Sequence, residues 1–168
     1  MRLQDGSSFR PSDRNMDSLE TRVPPVVIGL VGAVVTWIAS LFGERLLEAP
    51  AFGVVGLVFA LAGMVLGTLG VSKFLEAQTT VNPHSIEKAS SLVTNGVYRF
   101  TRNPMYLGLL SFLISWGLWL GTLLGLIVGP LFYVFTLTRL QIFPEERMLR
   151  STFGADYESY CRDVRRWL

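Results

Sequence analysis

The chain has 168 residues, 50% of them hydrophobic and 17% charged, with a formal net charge of +2. One cysteine, Cys161, and one histidine, His84, exclude an intramolecular disulfide, a cysteine-based metal cluster and a multi-histidine metal site. The composition is too apolar for an ordinary soluble domain of this size, and it points to a small membrane protein.

Residues 1–22 are polar and charge-mixed, with Ser7, Ser8, Pro11 and Asn15, and read as a tail with no cleavable signal peptide. Three uncharged blocks follow, 23–43, 49–72 and 103–138, the last long enough to cross a bilayer twice. At about 20 residues per crossing and about 1.5 Å of rise each, they predict four transmembrane helices, roughly 24–43, 51–72, 104–120 and 122–140. The last two are expected to turn at Trp119, Leu120, Gly121 and Thr122, with the indole at headgroup level and the glycine permitting a tight bend. The fold class is all-α: a tail 1–22, a four-helix bundle 23–140 that includes a loop 73–102, and C-terminal helices over 141–168. An even number of spans puts both termini and that loop on one side. Every Lys and Arg except Arg45 falls there, so the positive-inside rule makes that face cytoplasmic. The same asymmetry ties the basic residues to orientation and anionic lipid, not to nucleic acid.

Glycines recur every four residues at Gly63 and Gly67, and at Gly121, Gly125 and Gly129. The spacing lets helices approach closely, and packing within one bundle is the expectation, with a homodimer through these faces as the alternative. No strand accompanies them, so they are not a dinucleotide fingerprint. Beyond the fourth span, a helix led by Pro144, Glu145 and Glu146 is expected to end at Gly154, with Asp156 capping another. Over 156–168, Tyr157, Tyr160, Cys161, Val164 and Leu168 share one side, with Arg162, Arg165 and Arg166 around the other. This predicts an interfacial amphipathic helix that covers a cytoplasmic site as a lid.

Three polar groups meet on the cytoplasmic face: 79–84 with His84; Tyr98, Arg99, Phe100, Thr101, Arg102, Asn103, Pro104 and Tyr106; and Arg139 with Glu145 and Glu146. Each has a structural reading alone. Asn103 and Pro104 suit a helix start, Glu145 and Glu146 complement a helix dipole, and the arginines can snorkel to phosphates. Together they make a pocket with both charge signs and stacking surfaces, which suits a ligand with a carboxylate, a diol or amine, and a flat base. S-adenosylmethionine has all three, although the physics permits it without selecting it.

The order of motifs decides more. Gly96-Val97-Tyr98-Arg99, then Arg102-Asn103-Pro104-Met105-Tyr106-Leu107-Gly108, Glu145-Glu146 and Phe153-Gly154-Ala155-Asp156-Tyr157-Glu158-Ser159-Tyr160, resembles the isoprenylcysteine carboxyl methyltransferases and their phospholipid methyltransferase relatives. The resemblance implies an integral-membrane methyltransferase that uses S-adenosylmethionine and releases S-adenosylhomocysteine. It places Tyr98, Arg99, Arg102, Asn103, Pro104, Tyr106, Glu145 and Glu146 at the cofactor and Arg139 at the methyl acceptor. Asn103 departs from the histidine common in the prenylcysteine enzymes, and it cannot carry a proton near neutral pH.

Methyl transfer from a sulfonium needs alignment and exclusion of water, not a protein nucleophile. A carboxylate acceptor would be held by Arg139, while an amine would first lose a proton to Glu145, Glu146 or His84. With four spans and minimal outer loops, the expected acceptor is small or lipidic and arrives sideways between helices. A lipid amine methyltransferase and a non-catalytic interaction protein are the alternatives.

Overall fold

The computed structural model describes residues 23–46, 50–76 and 91–168. Residues 1–22 and 77–90 lie outside the described residues, and with them the expected tail and His84. The described elements are α1 (Pro25–Ser40), α2 (Pro50–Glu76), a 3₁₀ turn (Gly96–Arg99), α3 (Pro104–Leu120), α4 (Leu123–Leu137), a π turn (Thr138–Ile142) and α5 (Phe143–Asp163). No named strand occurs among the described residues.

Prolines open several of these helices, where the missing N–H costs no helical hydrogen bond. The α3–α4 turn stands where the sequence places it. Gly121 takes φ 75°, a left-handed conformation that suits glycine, and the Thr122 hydroxyl accepts the Gly125 N–H at 3.2 Å. Opposite it, the Leu46 N–H donates to the Gly121 carbonyl at 3.0 Å and ties the α1–α2 connection to this turn.

The helices pack as two antiparallel pairs. Gly56 lies against Trp119, Gly63 against the Gly108 backbone and Gly70 against Met105, so α2 runs along α3. Gly29 and Gly32 lie against Tyr133, and Gly129 against Thr36, so α1 runs along α4. Removing the side chain is what permits these approaches: a Cβ on Gly63 would stand 2.7 Å from the Gly108 carbonyl oxygen. Gly63, Gly125 and Gly129 thus pack within the bundle, whereas Gly67 has open space where a Cβ would be.

The outward faces remain apolar. Leu30, Val34, Trp37, Val54, Val58, Leu61, Val65, Leu131 and Phe135 are all exposed, an arrangement that suits lipid as solvent. Two helices, Pro50–Glu76 and Leu123–Asp163, are long and apolar enough to cross a membrane, while α1 and α3 are shorter apolar helices. The long α4–α5 helix changes character along its length: its uncharged part ends before Arg139, and from Pro144 onward it is charged.

The sequence predicts a break between the fourth span and the Glu145-led helix. The structure instead runs α4 into α5 through the π turn. Pro144 has no N–H and crowds the carbonyl four residues earlier, and the wider turn ahead of it accommodates both defects without interrupting the helix. Gly154 (φ 49°, ψ −121°) leaves helical geometry within α5, so two helical segments meet at the position where the sequence ends one helix and begins the next. The helix then stops at Asp163, and Val164 is extended (φ −124°, ψ 130°), so Leu168 is not on the helical face that period-counting gives it. The apolar face of this last segment is turned to protein, with Tyr157, Tyr160 and Val164 packed with Val93 and Tyr98 and flanked by Phe74.

Candidate functional site

The polar residues gather where the start of α3, the start of α5 and the C-terminal strap 164–168 meet. Glu146 is 5% exposed. Arg166 grips it with two parallel hydrogen bonds of 2.8 Å, from Nε to Oε1 and from Nη2 to Oε2, and Arg102 Nη1 stands 3.4 Å from Oε1. The fork geometry matches the carboxylate, which suits a buried acid that would otherwise carry an uncompensated charge. Arg102 also donates to Cys161 Sγ.

The segment ahead of α3 is zipped to the strap through its backbone. The Arg102 N–H donates to the Arg165 carbonyl at 3.0 Å, and the Arg166 carbonyl accepts from Asn103 Nδ2 at 2.9 Å and from the Thr101 hydroxyl at 3.3 Å. The expected capping role of Asn103 is therefore corrected: its side chain makes no cap hydrogen bond and holds the strap instead. Capture of these carbonyls and N–H groups explains why 164–168 leaves the helix, since an extended strap satisfies them across the site.

Glu145 faces a different environment from its neighbour. Its Oε1 accepts the Tyr106 hydroxyl, and Tyr106 is fixed in turn by the Tyr133 hydroxyl, which donates to the Tyr106 carbonyl at 3.1 Å. Burial pushes the Glu145 carboxyl up to about 7, the Tyr106 hydrogen bond opposes that rise, and the charge of Glu146 adds to it. Tyr98 lies buried beside them, edge-on to Phe74 with ring centroids 5.5 Å apart, and its carbonyl accepts the Tyr160 hydroxyl at 2.7 Å. Burial, with Tyr160 and Glu145 adding to it, pushes the Tyr98 hydroxyl well above the ordinary tyrosine range.

Of the residues expected at the site, the structure brings together Tyr98, Arg102, Asn103, Tyr106, Glu145 and Glu146. Pro104 is buried in the first turn of α3. Arg99 is exposed at the end of the 3₁₀ turn, beside exposed Phe100. Arg139 is exposed on the π turn, over the Phe135 and Phe143 rings at 5.6 and 5.9 Å. Among the described residues, Phe143 links it to the cluster, since that ring also lies 4.9 Å from the Arg166 guanidinium.

Arg166 is the main site residue that the sequence reading missed, because a helix continued to 168 turns it towards solvent. A run of arginines after the last helical tyrosine, with two buried-type acids upstream, was the only signal. Tyr133 is hidden inside the third uncharged block.

Two buried polar atoms of the cluster have no partner among the described residues, the Tyr98 hydroxyl and Arg102 Nε. Both are donors, and they stand beside paired carboxylates and stacking rings. That set fits a ligand with carboxylate or ring-nitrogen acceptors and with hydroxyl or amino donors.

The sequence model of the phospholipid methyltransferase family matches residues 51–156. The chain is 44% identical over 64 residues to an uncharacterized protein of Haemophilus influenzae, covering 38% of this chain and all of that protein. It is 35% identical over 116 residues to a probable protein-S-isoprenylcysteine O-methyltransferase of Oryza sativa, covering 66% of this chain and 57% of the rice protein. With protein-S-isoprenylcysteine O-methyltransferase of Schizosaccharomyces pombe it shares 37% identity over 76 residues, 44% of this chain and 30% of the yeast protein. The chain thus spans little more than half of the rice relative and under a third of the yeast one. No solved structure matches.

Proposed function

Because the chain belongs to the phospholipid methyltransferase family, we propose that it is a membrane methyltransferase that takes its methyl group from S-adenosylmethionine and passes it to a small or lipophilic acceptor. The observation that carries this reading is the buried Glu146, held by Arg102 and Arg166 at one end of an apolar bundle, with the unpartnered donors Tyr98 Oη and Arg102 Nε in the same cluster.

When bound, the cofactor supplies an electrophilic methyl on a sulfonium. Tyr98, Arg102, Asn103, Tyr106 and Glu146 would hold it. Arg102 Nε and the Tyr98 hydroxyl are free to donate to acceptor atoms, and the rings of Tyr98 and Tyr106 offer stacking surfaces. The strap, tied to Thr101, Arg102 and Asn103, closes the cluster from the aqueous side and keeps water from the reacting atoms. The apolar flanks of the bundle leave the acceptor a lateral path, so neither substrate has to leave its preferred solvent. Arg139, at the outer edge of the cluster beside Phe143, is placed to meet an anionic head. The names of the family and of the relatives supply two acceptor classes, a phospholipid and a protein S-isoprenylcysteine methylated on oxygen.

The reading predicts that S-adenosylhomocysteine, titrated calorimetrically into the protein in nanodiscs, binds in the micromolar range, about −8 kcal/mol. Arg102→Ala should abolish the heat and Arg45→Ala, at the far end of the bundle, should leave it. Equal small effects would return Arg102 to mere anchoring.

A further inference from the structure

We propose that Glu145 is the proton acceptor of the methyl transfer and Glu146 its fixed electrostatic partner, so that the methyl acceptor reacts through an N–H, S–H or O–H group. The proposal rests on the methyltransferase reading above, and it separates two residues that the family resemblance treats as one cofactor-binding pair.

The separation is geometric. Both oxygens of Glu146 are taken by guanidinium groups, two bonds from Arg166 with Arg102 behind. A carboxylate so engaged has its charge balanced in place by two guanidinium groups, and taking up a proton would undo that pairing. Glu145, one residue earlier, points the other way along the helix surface to the Tyr106 hydroxyl on α3. Among the described residues no cation pairs with it, and its second oxygen, Oε2, makes no hydrogen bond. Among the described residues, then, Glu145 is a carboxylate without a cation, on the side of the cluster where Tyr106 joins the bundle core formed with Ile28, Leu113, Tyr133 and Leu137. That is the side from which a lipophilic molecule arrives.

Among the described residues, the groups facing Glu145 are Tyr106 on α3, with Tyr133 on α4 behind it, Tyr98 on the 3₁₀ turn, and Glu146 on its own helix; Arg102 and Arg166 engage Glu146. Burial among them holds the Glu145 carboxyl near 7, close to the proton affinity that a base needs at neutral pH. Two carboxylates pushed into unlike environments divide acid–base from electrostatic work. In the step, the X–H bond of the acceptor breaks and its proton passes to Glu145 Oε2. The electron pair left on X forms the X–CH3 bond, while the S–CH3 bond of the sulfonium donor breaks and sulfur keeps the pair as a thioether. A carboxylate acceptor brings no proton and would leave Glu145 idle.

The test uses the full chain in nanodiscs, labelled S-adenosylmethionine, and four probes that differ only in their reacting head: dodecylamine, dodecanethiol, dodecanol and dodecanoate. At least one protic probe should be methylated by the wild type. Glu145→Gln, which keeps a partner for Tyr106, should lower that rate by about 100-fold or more while the Kd of S-adenosylhomocysteine changes less than about threefold. The wild-type rate should rise with pH through about 7, and Tyr106→Phe should move that midpoint upward because it removes the bond that opposes protonation. Loss of S-adenosylhomocysteine binding in Glu145→Gln would make Glu145 a cofactor ligand and overturn the proposal. Methylation of dodecanoate alone, of none of the probes, or at an unchanged rate in Glu145→Gln would overturn it too. If the wild type itself fails to bind S-adenosylhomocysteine, the cofactor reading falls first.

Discussion

Adjacent residues in this chain do unlike things because the helix surface turns them to unlike neighbours. Glu145 and Glu146 read identically in the sequence, yet one meets a tyrosine and the other two arginines. The difference is measurable as stability. The folded state holds the Glu145 proton up to about 7, whereas the unfolded chain releases it near 4.5, so folded stability falls as pH rises from about 4.5 to about 7 and then levels. Thermal unfolding in detergent across that range should show the fall in wild type and a flatter curve in Glu145→Gln. Asn103 illustrates the same point. Its expected place at a helix start was right, but the bond it makes goes to the Arg166 carbonyl. Asn103→Ala should therefore cost about 1 kcal/mol and weaken S-adenosylhomocysteine binding through a loosened strap, which calorimetry on the variant would register. Unchanged affinity would leave Asn103 a purely local tie. The partners themselves are not legible in the sequence, because side-chain contacts across 63 positions leave no periodic trace.

At the scale of elements, the uncharged blocks and their glycines carried most of the information. The α3–α4 turn at Gly121 and Thr122 follows from local chemistry alone, as does the kink at Gly154. The continuation of α4 into α5 and the strap 164–168 do not, since tertiary contacts override what local propensity favours there. Close helix packing gives a direct test. Gly63→Ala places a methyl against the Gly108 carbonyl, where neither backbone can yield without separating α2 from α3. A loss of about 1–3 kcal/mol is expected, read as a lower midpoint of unfolding in detergent. Gly67→Ala, into open space, should be nearly neutral. If both cost the same, the packing is not what selects glycine.

Over the whole molecule, an apolar bundle carries a charged cluster at one end, and the long α4–α5 helix joins the two environments without a break. The apolar outer faces suit lipid as solvent, and the charged cluster with its strap lies at one end of them. The proposed function puts the cofactor in the cluster formed by 96–106, the start of α5 and the strap. The first experiment is a photoreactive azido-adenosyl analogue of S-adenosylmethionine, bound to the protein in nanodiscs and mapped by peptide sequencing. Label is expected on peptides that contain Tyr98, Tyr106 or the strap, displaced by unlabelled S-adenosylhomocysteine. Label confined to the α1–α2 connection around Arg45, or label that no competitor displaces, would contradict it.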